Sequence, residues 1–249
     1  MNKGNFRPVK FYETWTFVIL VCIILPICFR AFLYSPRHIP SSSMKPTLLI
    51  GDYIFISKFA YGFGKYTFPF GDKINYFEGR IGGSKPKRGD IIVFRPPNDP
   101  QTDYIKRLIG LPGDTIQMKS GRLILNGEVL PNKRREDFLE DKADGTKYNV
   151  KRYRETLPNG VEYEVLDEVT AGPADDSEVF TVPENHYFFM GDNRDNSADS
   201  RLNIGYVPEE NLIGKAEVIL FSNEYNFLEI WNWVRGFREN RFIIDLYDE

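Results

Sequence analysis

Tyr104-Ile-Lys-Arg-Leu-Ile109 is a run of aromatic and branched side chains with a lysine set inside it. Such residues favour the pleated, half-buried surface of a sheet. Alternation along a strand sends Lys106 to the same face as Tyr104 and Leu108. The pattern recurs outward from this run. Tyr53-Ile-Phe-Ile-Ser57, Asp90-Ile-Ile-Val-Phe94, Val161-Glu-Tyr-Glu-Val165, Tyr187 to Met190 and Lys215 to Phe221 have the composition of further strands. Leu123-Ile-Leu-Asn126-Gly127-Glu-Val-Leu130 has the form of a hairpin closed by an Asn-Gly turn. Pro96-Pro97, Pro112-Gly113 and Pro158-Asn159-Gly160 punctuate the strands. The absence of βαβ alternation argues against Rossmann and TIM folds and predicts a mainly β chain of packed antiparallel sheets.

The 249 residues suffice for one large or two small domains. Net charge is −3 with acids and bases interspersed, so nothing points to nucleic acid as a partner. The two cysteines, Cys22 and Cys28, both lie in an apolar N-terminal run, which leaves no disulfide framework and no cysteine-type metal site. Thr14 to Phe29 carries no charge, and residues 14–34 would reach about 31 Å as a helix, enough to cross a bilayer. A run with no polar face fits poorly on a soluble domain. A cleavable leader is the other reading, because Ser41-x-Ser43 has cleavage-like spacing. That pair lies far beyond the apolar run, past Arg37 and Pro40, so a retained membrane anchor is expected. Lys3, Arg7 and Lys10 precede the span, and Arg30, Arg37 and Lys45 follow it, so the positive-inside rule sets no orientation. Residues 131–160 are polar, with a Lys133-Arg134-Arg135 cluster, and are expected to form a solvated loop or outlying hairpin. Phe227 to Arg241 carries Phe227, Ile230, Trp231, Val234 and Phe237 at helical spacing. Such a helix would lie on the membrane interface or pack on the body.

His38 and His186 are the only histidines, and neither is flanked by a catalytic-looking turn. A Ser-His-Asp triad would need one of them. Serine can instead be activated by a neutral lysine. An ordinary lysine is neutral about once in 2,500 at pH 7, and burial raises that fraction. Lys106 has the apolar setting required, although an edge-strand lysine guarding against aggregation has the same local pattern. Ile39-Pro-Ser-Ser-Ser-Met-Lys-Pro-Thr-Leu48 leads straight into a strand, so its serines are tethered at both ends. Gly191-Asp-Asn-Arg-Asp-Asn-Ser197-Ala-Asp-Ser-Arg201 lacks the alternating ligands and central glycine of a calcium loop. Its acids and arginines are better suited to pairing with each other.

Taken together, these segments resemble the bacterial type I signal peptidases. Pro40-Ser-x-Ser43-Met44-x-Pro46-Thr-Leu48 is similar to that family's nucleophile box. Gly89-Asp-Ile-Ile-Val-Phe94 is similar to its next strand, and Asp103-Tyr-Ile-Lys106-Arg107 through Gly113-Asp to its lysine box. Gly191-Asp-Asn through Ser197, Asp199 and Arg201 resembles its C-terminal box. The resemblance implies Ser43 as nucleophile, Lys106 as neutral general base, and an oxyanion hole made of the Ser41 hydroxyl and the Ser43 N–H. Ser197 would orient the Lys106 amine. Asp192 would pair with Arg107, and Asp199 with Arg201. Ile39, Pro40, Met44, Leu48, Tyr104 and Ile105 would line shallow pockets that suit Ala-x-Ala sites. The implied organisation is a cytoplasmic tail (1–13), the anchor (14–34), a first part of the catalytic core (35–114, with a hairpin excursion at about 60–90), an inserted β subdomain (115–185), the rest of the core (186–222) and an amphipathic C-terminal segment with a short helix (223–249). It also implies preprotein signal peptides as substrates, the bilayer and nearby secretion translocon as partners, no cofactor and no metal. The cytoplasmic (inner) membrane would be crossed once, with the catalytic domain extracytoplasmic. Two other classes compete: a non-catalytic membrane-anchored β-scaffold, and a Ser-His protease using His186.

Overall fold

The computed structural model describes residues 12, 14–68, 71, 79–141, 145–225 and 229–247. The apolar run forms helix α1 (Trp15–Cys28), capped by the Thr14 hydroxyl, which accepts from the Phe17 N–H. It continues as a π-helical turn, Phe29–Leu33. The 19 residues Trp15–Leu33 carry a single charge, Arg30, near their end, and their most apolar window is not buried by the rest of the chain. The helical segment ends one residue before the expected limit, because Tyr34 already belongs to strand β1 (Tyr34–His38) and pairs with Ser57 of β2 (Asp52–Ser57).

The next strands are β3 (Ile91–Phe94), β4 (Tyr104–Gly110), β5 (Thr115–Lys119), β6 (Arg122–Leu125) and β7 (Glu128–Val129). β8 (Asn132–Arg134), β9 (Phe138–Asp141), β10 (Lys147–Thr156), β11 (Glu162–Asp167) and β12 (Phe180–Thr181) follow. The chain then forms β13 (His186–Met190), β14 (Val207–Pro208), β15 (Leu212–Ser222), the short helix α2 (Trp233–Gly236) and β16 (Ile244–Asp245). The main sheet runs β1-β2-β15-β3-β4-β13-β14, with β16 also on β15. A second sheet runs β12-β5-β6-β7, and a third β11-β10-β8 with β9 also on β10. All strand pairings are antiparallel among the described residues.

The long β15 serves both β2 and β3 because register shifts bend it. Gly214 sits at the bend, where an added Cβ would lie 2.5 Å from the Ser57 carbonyl oxygen. The core has three parts. Ile39, Met44, Leu48, Ile54, Ile56 and Ile91 pack on one face of the main sheet. Ile92, Phe94, Leu108 and Phe189 pack on the other, with the Phe94 and Phe189 rings stacked 4.3 Å apart. Ile109, Ile116, Leu123, Val165 and Phe188 join the smaller sheets to the main one.

One expectation is narrowed and another needs correction. Residues 131–160 take the hairpin alternative and not the solvated loop: β10 is ten residues long, pairs antiparallel with β9 and β11, and sits at the centre of its sheet. Its cross-strand neighbours are charged, with Arg152 on Glu164 (3.1 Å) and Arg154 near Glu162 (3.5 Å), so pairing rather than an apolar run defines it. Phe227 to Arg241 is not one helix. Helical geometry is confined to Ile230–Asn232, Trp233–Gly236 and Glu239–Arg241. At Gly236 the chain presses against Tyr225 and Asn223, then turns extended so that Phe237 bridges Asn223. Phe227 lies outside the described residues, as does much of the expected 60–90 hairpin, of which an antiparallel Phe63–Ile81 bridge is described.

Candidate active site

The segment between β1 and β2 holds the serines, and its apolar residues fasten it down. Ile39, Met44 and Leu48 are 2%, 1% and 0% exposed, in the core beneath it. Pro40 and Ser41 are exposed, and Tyr104 and Ile105 are half-buried.

β4 carries Lys106, paired with Ile92 of β3 on one side. On its other side β13 reaches only from Gly110 to Arg107 before the chain leaves the sheet at Gly191. This termination leaves the Tyr104–Lys106 edge beside the serine segment unpaired by β13. Across that gap, Lys106 Nζ lies 2.7 Å from Ser43 Oγ and 3.0 Å from the Ile105 carbonyl, to which it donates. Both Lys106 and Ser43 are buried, at 4% and 7% exposure. Burial pulls the Lys106 pKa down to about 8, against the opposing pull of the Asp199 and Asp192 carboxylates. At pH 7 about one such amine in eleven is neutral, over a hundredfold more than for a lysine in water.

Ser41 Oγ is 3.4 Å from Ser43 Oγ. Among the described residues the Ser43 backbone N–H meets no acceptor, while its carbonyl accepts from the Asn193 N–H at 3.1 Å. Asn193 also donates through Nδ2 to the Ser42 carbonyl at 3.2 Å. The loop after β13 therefore holds the serine's own peptide in place. Arg107 grips Asp192 with two bonds, Nε to Oδ1 at 2.8 Å and Nη2 to Oδ2 at 2.7 Å. Thr47 donates to Asp192 at 2.6 Å, tying that pair to the serine segment. Asp199 accepts two bonds from the Arg201 guanidinium (3.0 and 2.8 Å), one from the Arg201 N–H (3.1 Å) and one from the Gly191 N–H (3.0 Å). Ser197 is buried beside this array, yet its hydroxyl makes no hydrogen bond, to Lys106 or to any other described group. A Cβ on Gly191 would come 2.2 Å from the Ser197 Oγ and 2.5 Å from the Ser43 carbonyl oxygen, so only glycine fits at 191.

Sequence reasoning missed Thr47 and Asn193, although both lie inside segments it singled out. It also missed Arg241, which donates to the Thr47 carbonyl at 2.9 Å and pairs with the fully buried Asp52. No local signal marks that arginine, far along the chain. His38 lies tilted against the Tyr53 ring, centroids 4.9 Å apart, and His186 Nδ1 contacts the Glu184 carbonyl, so each has a local partner. Asp167, Asp175 and Asp195 bring carboxylate oxygens within 4.8 Å of one another. Asp175 accepts from the Gly172 N–H, and Asp195 from those of Glu168 and Val169, which suits carboxylates capping turns.

Residues 12–221 match the family described as "Signal peptidase, peptidase S26". Signal peptidase I of Rickettsia akari (strain Hartford) is 41% identical, the match covering 99% of this chain and 97% of that one. Signal peptidase I of Rickettsia prowazekii (strain Madrid E) is 39% identical over 100% of this chain and 99% of that one. A crystal structure of a signal peptidase I from Enterococcus faecalis V583 is 32% identical, covers 53% of this chain and 97% of that chain, and has a TM-score of 0.32.

Proposed function

The chain belongs to the signal peptidase family, peptidase S26, and on that premise we propose that it is a membrane-anchored Ser/Lys endopeptidase that removes signal peptides from exported preproteins after small-x-small sites. The observation carrying this reading is the 2.7 Å contact between a buried, largely dehydrated Lys106 amine and the Ser43 hydroxyl.

In the proposed cycle neutral Lys106 accepts the Ser43 proton as Oγ attacks the scissile carbonyl. The developing oxyanion takes hydrogen bonds from the Ser43 N–H and the Ser41 hydroxyl, each such donor being worth about 2.7–4 kcal/mol of barrier. The lysine then gives its proton to the departing amine, leaving an ester on Ser43. It next takes a proton from the water that attacks the ester and returns it to Ser43 Oγ as the product acid leaves, so the dyad ends as it began. Ser197, buried and without a partner, is the hydroxyl within the cluster that would turn to hold the Lys106 amine. Arg107 with Asp192, and Arg201 with Asp199, hold the loop that carries it.

The substrate lies extended along the Tyr104–Lys106 edge, adding a strand where β13 stops. Pro40, Tyr104 and Ile105 line its small-residue pockets over the floor of Ile39, Met44 and Leu48. The bare helix Trp15–Leu33 anchors the chain once in the cytoplasmic membrane, N-terminus inside. The anchor keeps the dyad at the surface where preproteins leave the translocon, and confinement to one layer raises their effective concentration.

The test is cleavage of a preprotein by the detergent-purified full chain. Ser43→Ala and Lys106→Met, folded by circular dichroism, should both lose turnover, and His186→Gln should keep it. Wild-type turnover in either dyad variant, or its loss in His186→Gln, would refute the assignment.

A further inference from the structure

Where the anchor helix meets the body, four cations converge on a cleft of about 320 Å³ lined by Arg30, Arg37, Lys58 and Arg95, with Ile27 and Phe68 adding apolar wall. Arg30 stands on the final helical turn and is exposed, with no hydrogen bond or ion pair among the described residues. Arg37 reaches Asp103 with Nη1 at 2.9 Å, but its Nε is shut away from solvent without an acceptor. Arg95 shares the same carboxylate through Nε at 2.9 Å and lies over the Tyr66 ring. Lys58 is buried, and its Nζ donates to the Ala31 carbonyl at 2.8 Å. Burial first, then the Arg37 and Arg30 charges, pull its pKa down to about 8, with Asp103 opposing.

Among the described residues Arg37 and Arg95 share the Asp103 carboxylate, Arg30 has no carboxylate of its own, and the Arg37 Nε–H is buried and unmet. A buried donor left unsatisfied is costly, and so is like-charge crowding away from water. An oxyanion in the cleft would relieve both through charge-assisted hydrogen bonds. The position selects among oxyanions. If Trp15–Leu33 spans the bilayer, Arg30 sits at its outer edge, at the depth of lipid phosphates, and Ile27 faces the first acyl carbons. We infer that this cleft binds the phosphodiester headgroup of an anionic phospholipid. The inference rests on the membrane-anchored reading above. A bound lipid there would brace the body against its anchor and fix the height of the dyad over the membrane.

Phosphatidylglycerol and phosphatidylcholine are the probes. The full chain in detergent is titrated with each, and retained lipid is counted by native mass spectrometry. The wild type should hold one phosphatidylglycerol about tenfold more tightly than phosphatidylcholine. The double variant Arg30→Gln/Arg37→Gln should lose that preference while cleaving a short peptide at the wild-type rate in phosphatidylcholine. Arg30→Gln alone breaks no described contact, and should lose about half of the preference on a logarithmic scale even if Arg37 proves needed for folding. Equal retention of the two lipids by the wild type, or undiminished preference in Arg30→Gln, overturns the proposal. Millimolar inorganic phosphate should leave the lipid bound; displacement would assign the cleft to free phosphate and overturn the lipid. Flotation with phosphatidylcholine vesicles separates the underlying reading. A chain that floats but shows no preference loses the lipid site alone, and a chain that does not float loses the anchor as well.

Discussion

Replacing Lys106 by methionine should make the protein more stable at neutral pH while abolishing its chemistry. Lys106 is 4% exposed, and burial holds its pKa near 8. In the unfolded chain a lysine titrates near 10.4. Between these two values the unfolded chain binds a proton that the folded chain does not, so wild-type stability rises with pH across that window. Below pH 8 the folded protein carries the whole deficit, which at about 1.36 kcal/mol per pH unit is about 3 kcal/mol. Methionine matches the lysine stem in length and carries no charge. It forfeits the hydrogen bond to Ser43 Oγ, worth about 1 kcal/mol. The variant should therefore be about 2 kcal/mol more stable than the wild type at pH 7 and about 1 kcal/mol less stable above pH 10.4. Denaturant unfolding of the full chain in detergent, followed by circular dichroism at pH 7 and pH 10.5, reads both numbers. The change of sign is the diagnostic. A variant less stable at pH 7, or a difference constant across the range, would mean that the amine does not pay for its burial, and the neutral-base mechanism would lose its foundation.

Three further outcomes follow from the same geometry. The logarithm of kcat/KM should climb with unit slope to an apparent pKa of about 8 and then level, because only neutral Lys106 can take the serine proton; an optimum near pH 5 in a pH-rate series would contradict this. Gly191→Ala puts a methyl 2.5 Å from the Ser43 carbonyl oxygen and 2.2 Å from Ser197 Oγ, so kcat should fall about a hundredfold in a protein that still gives a folded circular dichroism spectrum; wild-type kcat would show that the serine's position tolerates displacement. Arg241→Ala removes the bond to the Thr47 carbonyl and leaves buried Asp52 without its cation, so stability should drop by about 3 kcal/mol or more in denaturant melts; an unchanged midpoint would show the C-terminal segment to be detachable.

What the sequence reveals and what it hides divide along one physical line. β3 and β4 bury both faces, so they show as short apolar runs, and Lys106 stands out as the odd residue in such a run. Ser43 stands out because its segment enters a strand directly. That the two side chains meet across 63 positions is not itself in the local pattern. Only the resemblance to a family joined them before the fold did. β10 is hidden for the opposite reason. Its stability comes from carboxylates on β11 and from Glu155, which accepts from Arg194 at 3.0 Å and from Tyr163 at 2.8 Å, partners 6 to 39 positions away. A strand held by such partners has the composition of a loop when read alone. The same is true of Arg241, whose counterpart Asp52 is 189 positions distant. Apolar burial can be read locally because any apolar neighbour satisfies it. Polar burial needs one particular partner at one distance and angle, and that partner is chosen by the topology. The site is built mostly of such polar burials: Arg107 on Asp192, Arg201 on Asp199, Asn193 on the serine's peptide. Its chemistry is therefore the last thing local patterning can deliver. The depressed pKa of Lys106 depends on how completely those pairs close around it, rather than on the residues beside it in the chain.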